Sequence, residues 1–232
     1  MASWRKRAQA WNWPIELVGG AFALWFRFCL TTSRFEIDIS DAAARAIREG
    51  PVIFVLWHSR MILGPLLIAP VGGEVVAVRD TSPAGRIGGV LMRRAGMFPI
   101  GVRKGEGMAA TRAVLKAARA GQSLGLAADG PKGPARVLGP APLEWGGISG
   151  LPIVLFAWST GRHRRANSWD RIMVPRPFAK GVARFDLFEE TVPRKQSPEA
   201  KAAQAERLAQ RLTAHTDEVD EAAGVTPGDG LR

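Results

Sequence analysis

A histidine directly follows a short apolar segment, at a point where a buried strand would end. Residues 52–57 read Val-Ile-Phe-Val-Leu-Trp, and His58-Ser59-Arg60 comes next. A strand so rich in β-branched and aromatic residues is typical of a parallel sheet that is covered on both faces. Such sheets place ligands and reactive groups at the carboxyl ends of their strands. His58, one of three histidines in 232 residues, is therefore a candidate general base.

Two other predicted strands also end in charged, glycine-rich segments. Parallel strands place their carboxyl ends at one edge of the sheet, so a base, a carboxylate and several cations would converge there. Cations beside a base suit attack by a hydroxyl group of an anionic substrate. Glycines let backbone N–H groups approach a phosphate closely. The two segments are Gly101-Val102-Arg103-Lys104-Gly105 and Asp129-Gly130-Pro131-Lys132-Gly133-Pro134.

Each of these features also has a purely structural explanation. His58 could be a buried, hydrogen-bonded histidine, and Asp-Gly-Pro is a common composition for a tight turn. Arg103 and Lys104 could be solvated surface charges. Asp170 could form a local salt bridge with Arg171. The combination at three strand ends favours the functional interpretation.

Several familiar catalytic motifs are absent from the sequence. It contains no phosphate-binding G-x-x-x-x-G-K-[ST] loop, no G-x-S-x-G nucleophile elbow and no H-E-x-x-H zinc motif. The histidines are scattered and Cys29 is the lone cysteine, so no metal site is predicted. A single cysteine also excludes an internal disulfide and fits a reducing compartment.

The chain around these residues alternates between strand and helix patterns. Alternation with helices of ten or more residues predicts a single α/β domain with a mostly parallel sheet flanked by helices. We expect this domain to cover residues 36–222, with an N-terminal segment over 1–35 and a frayed tail over 223–232. Ser40, Ser82 and Ser197 are expected helix N-caps, and Gly96 an expected helix end. The predicted strands are 52–57, 74–78, 97–102, 123–128, 151–158 and 182–188, and the longer helices are 83–95, 106–120 and 198–219.

The N-terminal segment has the composition of a membrane-associated helix. Trp4-Arg5-Lys6-Arg7 precedes an apolar stretch over residues 15–30, which Glu16 and Arg27 interrupt. A spanning helix needs about 20 apolar residues, so this one is short. Tryptophans and basic residues beside an apolar helix suit the membrane–water interface, whereas a helix packed into the core is the alternative. We favour a helix at the interface, with the remaining chain on the cytoplasmic side of the cytoplasmic membrane.

The charge balance predicts a polyanionic partner. Lysine plus arginine number 32 and aspartate plus glutamate 21, which gives a net charge of +11. Nucleic acid, an anionic membrane and a phosphorylated substrate are all compatible with this charge. The apolar stretch over residues 15–30 favours the membrane, because a soluble nucleic-acid-binding protein has no need of one. No nucleic acid is therefore expected as a partner.

Three strings in this sequence together resemble a known family. The chain is similar to a bacterial branch of the lysophospholipid acyltransferase superfamily, related to the late acyltransferases of lipid A. The resemblance covers roughly residues 25–190. Leu151-Pro152-Ile153-Val154 also matches the superfamily's Pro-Ile-Val strand. The three strings are Leu56-Trp57-His58-Ser59-Arg60-Met61, Ala128-Asp129-Gly130-Pro131-Lys132-Gly133-Pro134, and Asn167-Ser168-Trp169-Asp170-Arg171 with the nearby Pro175-Arg176-Pro177-Phe178.

The resemblance implies transfer of a fatty acyl group to a hydroxyl group of a lysophospholipid or a lipid A-like acceptor. The acyl donor would be a thioester of coenzyme A or acyl carrier protein, used as a co-substrate, and no bound cofactor is implied. His58 matches the family's catalytic histidine, and Asp129 would support the site. The implied substrate-binding residues are Arg60, Arg103, Lys104, Gly130 and Lys132.

The sequence departs from the family pattern at two carboxylates. The superfamily places an aspartate five positions after the histidine to orient the imidazole, and this chain has Leu63 there. Ala84 replaces a second aspartate that this branch usually carries. Asp129, Asp80 or a backbone carbonyl could orient His58 instead. Two alternatives therefore stay open: an inactive acyltransferase-fold protein that binds anionic lipid and, on charge alone, a basic nucleic-acid-binding protein.

Overall fold

A computed structural model describes residues 13–103, 105 and 107–228 of the chain. It confirms the predicted fold class, a single α/β unit with helices on both faces of a sheet. The helices are α1 Trp13–Thr32, α2 Asp41–Glu49, α3 Gly64–Gly72, α4 Pro83–Ala95, α5 Gly107–Arg119, α6 Ala141–Ser149 and α7 Pro198–Ala222. The strands are β1 Arg34–Ile39, β2 Ile53–Leu56, β3 Val75–Asp80, β4 Phe98–Val102, β5 Ser123–Ala127, β6 Ile153–Thr160, β7 His163–Arg165, β8 Met173–Pro175 and β9 Lys180–Phe188.

The main sheet has seven strands in the order β1-β9-β6-β2-β5-β3-β4. Strands β6, β2, β5, β3 and β4 are mutually parallel, so their carboxyl ends share one edge. Strand β9 is antiparallel to β6, and β1 pairs in parallel with β9. Strands β7 and β8 form a separate antiparallel pair. The expectation of converging strand ends is therefore met for β2, β5 and β4.

The two faces of β2 serve two hydrophobic cores. Phe54 and Leu56 point into one core, and Ile53, Val55 and Trp57 point into the other. Because successive side chains of a strand alternate between faces, a sheet covered on both sides requires apolar residues at every position. Full burial of each such side chain stabilises the fold by about 1.5–3 kcal/mol. This is why the run before His58 has no polar interruption.

The predicted helix boundaries follow from capping side chains. The Ser40 hydroxyl accepts the N–H of Ala43 at 3.2 Å, and Ser82 and Ser197 cap α4 and α7 in the same way. Gly96 ends α4 with a φ of 96°, in the left-handed region that glycine adopts at little cost. These caps, all expected from the sequence, confirm the positions of α2, α4 and α7.

Four parts of the fold were not expected from the sequence. Helices α3 and α6 and the β7–β8 pair were not predicted, and β9 runs antiparallel to its neighbour β6. The prediction of a frayed tail from residue 223 was wrong at Val225, which is buried. Its N–H donates to the carbonyl oxygen of Asp220 at 2.8 Å. Residues 229–232 lie outside the described part of the chain.

Helix α1 packs along α4 rather than forming a separate unit. Gly19 faces Val90 so closely that a Cβ at position 19 would lie 2.6 Å from the Val90 side chain. Glu16 forms a salt bridge with Arg93, on α4. By length and composition α1 could cross a membrane, although core helices and signal sequences pass the same test, and 28% of its apolar window is buried against the protein. The basic segment that precedes α1 in the sequence, Trp4-Arg5-Lys6-Arg7, lies outside the described residues.

Candidate functional site

The site begins with a tight turn at the end of β2. Residues His58–Arg60 form a single 3-10 turn, which the Arg60 N–H closes by donating to the Trp57 carbonyl oxygen at 2.9 Å. The backbone N–H of His58 donates to Oδ1 of Asp129 at 2.8 Å. Since β2 and β5 are adjacent and parallel, the residues that follow them meet at the sheet edge. His58 and Asp129 are therefore brought together as expected.

The imidazole of His58 pairs with Asp170. The His58 Nδ1 atom lies 2.6 Å from Oδ2 of Asp170, and the two side chains are 18% and 4% exposed. The Ser168 hydroxyl donates to the other carboxylate oxygen of Asp170 at 2.5 Å. A carboxylate that accepts Nδ1–H fixes the tautomer and leaves Nε2 as the nitrogen for proton transfer. The pair has the composition and contact of a carboxylate-oriented general base.

Asp170 is therefore the orienting carboxylate, which corrects the sequence-based candidates. Asp129 binds the main chain of His58 instead of its ring. Asp80 accepts the N–H of Ser82 at 2.6 Å, at the start of α4. The sequence suggests a local salt bridge between Asp170 and Arg171, whereas the structure places Asp170 against His58. It lies 112 positions from His58, in the loop joining the unpredicted strands β7 and β8, and the Ser-Trp-Asp-Arg string was the one available signal.

The leucine at position 63 is explained by the same geometry. Leu63 is fully buried in the core cluster that contains Leu56 and Leu66. A carboxylate there would lose its hydration in an apolar environment without a partner, at a cost of several kcal/mol. Because His58 turns toward the β7–β8 loop, position 63 is free to serve the core. The absence of a carboxylate at position 63 thus coincides with a carboxylate supplied by the β7–β8 loop.

Trp169 covers one side of the imidazole. Its ring centroid lies 5.1 Å from that of His58, with the planes tilted by 44°. The loop after β5 reaches this indole at Gly133, where a Cβ would lie 2.3 Å from the ring. Gly133 also has a φ of 67°, so this position needs glycine on both counts. Trp169 thus bounds one side of the site, and the lack of a side chain at Gly133 lets the loop after β5 pack against the indole.

Asp129 contacts the backbone of the His58 turn and not the imidazole. It is 6% exposed and accepts a second backbone N–H, that of Arg136, at 3.1 Å. Burial raises the pKa of the Asp129 carboxyl, and the N–H groups of His58 and Arg136 oppose that rise. Asp129 therefore ties the His58 turn to the loop that follows β5.

The prediction that Arg60 binds substrate was wrong. Its side chain is fully buried, and Nη2 lies 2.6 Å from Oδ2 of Asp220, on α7. Nη1 donates to Sδ of Met173 at 3.3 Å. Burial lowers the pKa of the guanidinium to about 10, against the attraction of Asp220. A side chain enclosed in this way holds the fold together and has no surface to offer a substrate.

The other predicted cations lie at varying distances from His58. Lys132 is exposed in the loop after β5, beside the half-buried Gly130, whose φ of 64° is in the left-handed region. Arg103 is exposed at the end of β4. Three strand spacings separate β4 from β2, which is about 14 Å. Lys104 lies outside the described residues.

Away from His58, the described ranges contain a cleft but no cluster suited to a metal ion. Among those residues no group of three or more His, Cys, Asp or Glu side chains could hold a metal ion. A cleft of about 740 Å³ lies at the amino ends of β3 and β4, where Val76, Met97, Phe98 and Lys116 contribute to its lining. That end of the sheet is opposite to the carboxyl edge that carries His58.

Comparison with known proteins gives little functional information. No family model matches the chain. An uncharacterized protein of Rickettsia prowazekii (strain Madrid E) is 27% identical over 158 residues, which is 66% of this chain and 72% of that protein. The chain is therefore similar to a protein that is described only as uncharacterized.

Proposed function

We propose that this protein is an O-acyltransferase that moves a fatty acyl group from an acyl thioester to a hydroxyl group of a lysophospholipid or lipid A-like acceptor. The observation that carries this proposal is the 2.6 Å contact between His58 and Asp170 at the carboxyl edge of the sheet. An oriented histidine is the group that such a transfer needs, because a hydroxyl attacks a thioester well only when a base removes its proton. The resemblance of the surrounding strings to acyltransferases supports the choice of reaction.

The first step is deprotonation and attack. Nε2 of His58 takes the proton of the acceptor hydroxyl while its oxygen forms a bond to the thioester carbonyl carbon. The imidazolium that results is stabilised by Asp170, whose carboxylate lies against Nδ1. The indole of Trp169 lies against the imidazole and would limit the access of water once a substrate is bound. Limiting water favours transfer over hydrolysis of the thioester.

The second step is expulsion of the thiol. The tetrahedral intermediate reforms its carbonyl as the carbon–sulfur bond breaks, and the thiolate takes the proton from His58. The products are an ester and the free thiol of coenzyme A or acyl carrier protein, so the protein returns to its starting state. Asp170 keeps its charge throughout, as the partner of the imidazole.

The anionic group of the acceptor would be bound by the loop after β5. Lys132 is exposed there, and Gly130 and Gly133 give the loop two backbone positions with positive φ. The N–H of Gly130 donates to the Ala127 carbonyl oxygen and Pro131 has none, so Lys132 and Gly133 supply the consecutive N–H groups that could face a phosphate. Arg103 would act at longer range, from the end of β4, and Lys104 follows it in the sequence.

Helix α1 supports a location at an anionic membrane, on the cytoplasmic face of the cytoplasmic membrane. Leu17 and Leu24 are 65% and 67% exposed on the side of the helix that faces away from α4. The exposed Phe178 continues this apolar surface through its contact with Phe28, with ring centroids 6.0 Å apart. Arg176, also exposed, lies two residues away and is available to lipid phosphates. An apolar face with neighbouring arginines is typical of a helix lying in the membrane interface.

The test is acyl transfer by the purified full-length protein. Radiolabelled acyl-coenzyme A and acyl carrier protein thioesters are offered together with vesicles that contain lysophospholipids or lipid A precursors. We expect His58→Gln to lower the transfer rate about 10²–10⁴-fold, which is the usual contribution of a general base. Lipid analysis of a deletion strain would identify the acceptor as the acylated species that disappears.

His163→Gln is the matched control, because His163 is also half-buried and also uses Nδ1, which lies 2.7 Å from the Thr160 carbonyl oxygen. It should leave the transfer rate within about twofold of the wild type. Equal activity of the His58 variant and the wild type would refute the assignment of the base. Vesicle binding with no turnover of any thioester would indicate the non-catalytic, lipid-binding alternative instead.

A further inference from the structure

The turn that carries His58 is connected to the last helix of the chain by a buried ion pair. Arg60 and Asp220 are both fully buried, and their side chains meet at 2.6 Å. They are 160 positions apart in the sequence. The carbonyl oxygen of Arg60 also accepts Nε1–H of Trp158 at 2.6 Å. The orientation of the 58–60 turn is therefore fixed by directional bonds on two sides of Arg60.

A second arginine connects the same helix to the loop after β5. Nη1 of Arg136 lies 2.6 Å from Oδ1 of Asp217, and its Nη2 lies 3.8 Å from Oδ2 of Asp220. Arg60, Arg136, Asp217 and Asp220 thus form one group, which we call the Arg/Asp cluster. Asp220 is its centre, because the same carboxylate oxygen faces both arginines.

Asp129 closes these contacts into a ring. It accepts the backbone N–H of His58 at 2.8 Å and that of Arg136 at 3.1 Å. A path of hydrogen bonds and ion pairs therefore runs from His58 through Asp129, Arg136 and Asp220 to Arg60, with the Arg136–Asp220 step an ion pair at 3.8 Å. Both loops of the candidate site are held against α7 by this ring.

The ring also reaches the strand beside Asp170. Nη1 of Arg60 donates to Sδ of Met173, the first residue of β8. Asp170 lies three residues before Met173, in the loop that enters β8. The guanidinium of Arg60 thus touches the element that supplies the carboxylate, while its backbone belongs to the turn that supplies the imidazole.

We propose that Asp220 is a positioning residue, which acts through Arg60 and Arg136 to hold His58 at bonding distance from Asp170. This inference rests on the proposed role of His58 as a base, and it assigns a functional task to the end of α7. Buried ion pairs contribute little net stability compared with apolar residues of similar size. Hydrogen bonds are directional and apolar contacts are not, so an ion pair can fix an orientation that apolar packing leaves loose.

The experiment follows the Nδ1 proton of His58 by NMR in the full-length protein. A proton held between imidazole and carboxylate resonates far downfield, and three histidines make the spectrum simple to assign with His58→Gln. We expect the resonance in the wild type and its loss in Asp220→Asn. Where transfer activity is measured, kcat should fall about tenfold or more with KM within about twofold.

The double variant Arg60→Met with Asp220→Leu separates positioning from stability. It removes both charges together, so its unfolding midpoint in urea should lie close to that of the wild type. We expect the downfield resonance to stay absent even so. Asp186→Asn is the control. Asp186, on β9, pairs at 2.5 Å with Arg211 of α7, and this pair lies outside the Arg/Asp cluster. The Asp186 variant should keep the resonance.

The outcomes distinguish this inference from the proposed function. A double variant that keeps both the resonance and wild-type transfer would overturn the positioning role and leave acyl transfer untouched. Loss of the resonance in both Asp220 variants, in a protein whose wild type transfers no acyl group, would support the positioning role and reject acyl transfer. If Asp220→Asn does not fold, the double variant alone decides.

Discussion

The turn after β2 carries two basic side chains, those of His58 and Arg60, and each pairs with an aspartate. The two pairs differ in exposure and in the type of basic group. His58 meets Asp170 at 2.6 Å, and Arg60 meets Asp220 at the same distance. The imidazole keeps 18% of its side-chain surface, whereas the guanidinium keeps 1%. The first pair borders the open edge of the sheet, and the second is enclosed beneath α7.

The difference shows that contact distance alone does not identify a reactive pair. Histidine gives up and takes a proton near neutral pH, so its pair with a carboxylate can do acid–base chemistry when a substrate can reach it. Arginine keeps its proton even though burial lowers the pKa of Arg60 to about 10. The open pair is therefore suited to catalysis, and the enclosed pair to holding the turn in place.

The largest expected effect comes from breaking the open pair. Asp170→Asn keeps an oxygen for Nδ1–H but removes the charge that stabilises the imidazolium, and it allows the wrong tautomer. We expect acyl transfer to fall about 10³-fold or more, with the free energy of unfolding changed by less than about 1 kcal/mol. Initial rates and urea unfolding measure the two quantities. Asn167→Ala, at an exposed neighbour, is the control and should change neither; a rate for Asp170→Asn within tenfold of the wild type would contradict the role of Asp170.

Breaking the enclosed pair should give the opposite signature, with stability as the main loss. Arg60→Met leaves the Asp220 carboxylate buried beside a thioether, with Arg136, whose Nη2 lies 3.8 Å away, as its remaining counter-charge. We expect the free energy of unfolding to fall by about 3 kcal/mol, the usual cost of removing one partner of a buried pair. Urea unfolding measures this cost. An equally stable variant would show that the pair is dispensable to the fold, and the contrast between the two pairs would then rest on exposure alone.

A smaller effect, on the pH dependence of stability, is expected at His215, which is buried on α7. Burial lowers the pKa of His215, whose Nε2–H donates to the Arg184 carbonyl oxygen at 3.1 Å. The neighbouring charges of Arg211, Asp186 and Glu218 modify this shift. The unfolded chain, with a histidine pKa of about 6.5, binds more protons than the folded one below that pH, so stability is complete above it and is lost as the pH falls.

His215→Gln should therefore flatten the fall in unfolding free energy between about pH 7 and pH 5. Urea unfolding at several pH values measures the slope, with His163→Gln as the comparison. A slope that is unchanged in His215→Gln would assign the pH dependence to other groups. The result would sharpen the contrast, since the enclosed histidine would affect stability and the open one reactivity.

The sequence predicted those features that local chemistry controls. Ser40, Ser82 and Gly96 mark helix ends because their side chains or backbone angles satisfy the cap directly. The position of His58 at the end of β2 followed from the apolar run before it. The meeting of His58 with Asp129 followed from the parallel order of β2 and β5.

The parts that were missed depend on contacts between distant segments. Strands β7 and β8 have three residues each, too short for a periodic pattern, and they form the loop that brings Asp170 to His58. The resemblance implied a substrate-binding role for Arg60, which follows His58 by two positions. Its partner Asp220 is 160 positions away, and no local rule joins the two.

The sequence by itself determined the α/β architecture, the placement of a histidine at the carboxyl edge of the sheet and the apolar character of α1. These follow from periodicity, caps and composition, each of which acts over a few residues. The tertiary structure alone decided that Asp170 orients His58, that Leu63 belongs to the core and that Arg60 is enclosed by Asp220. Those outcomes depend on which side chains are excluded from water together, and that is a property of the packed chain as a whole.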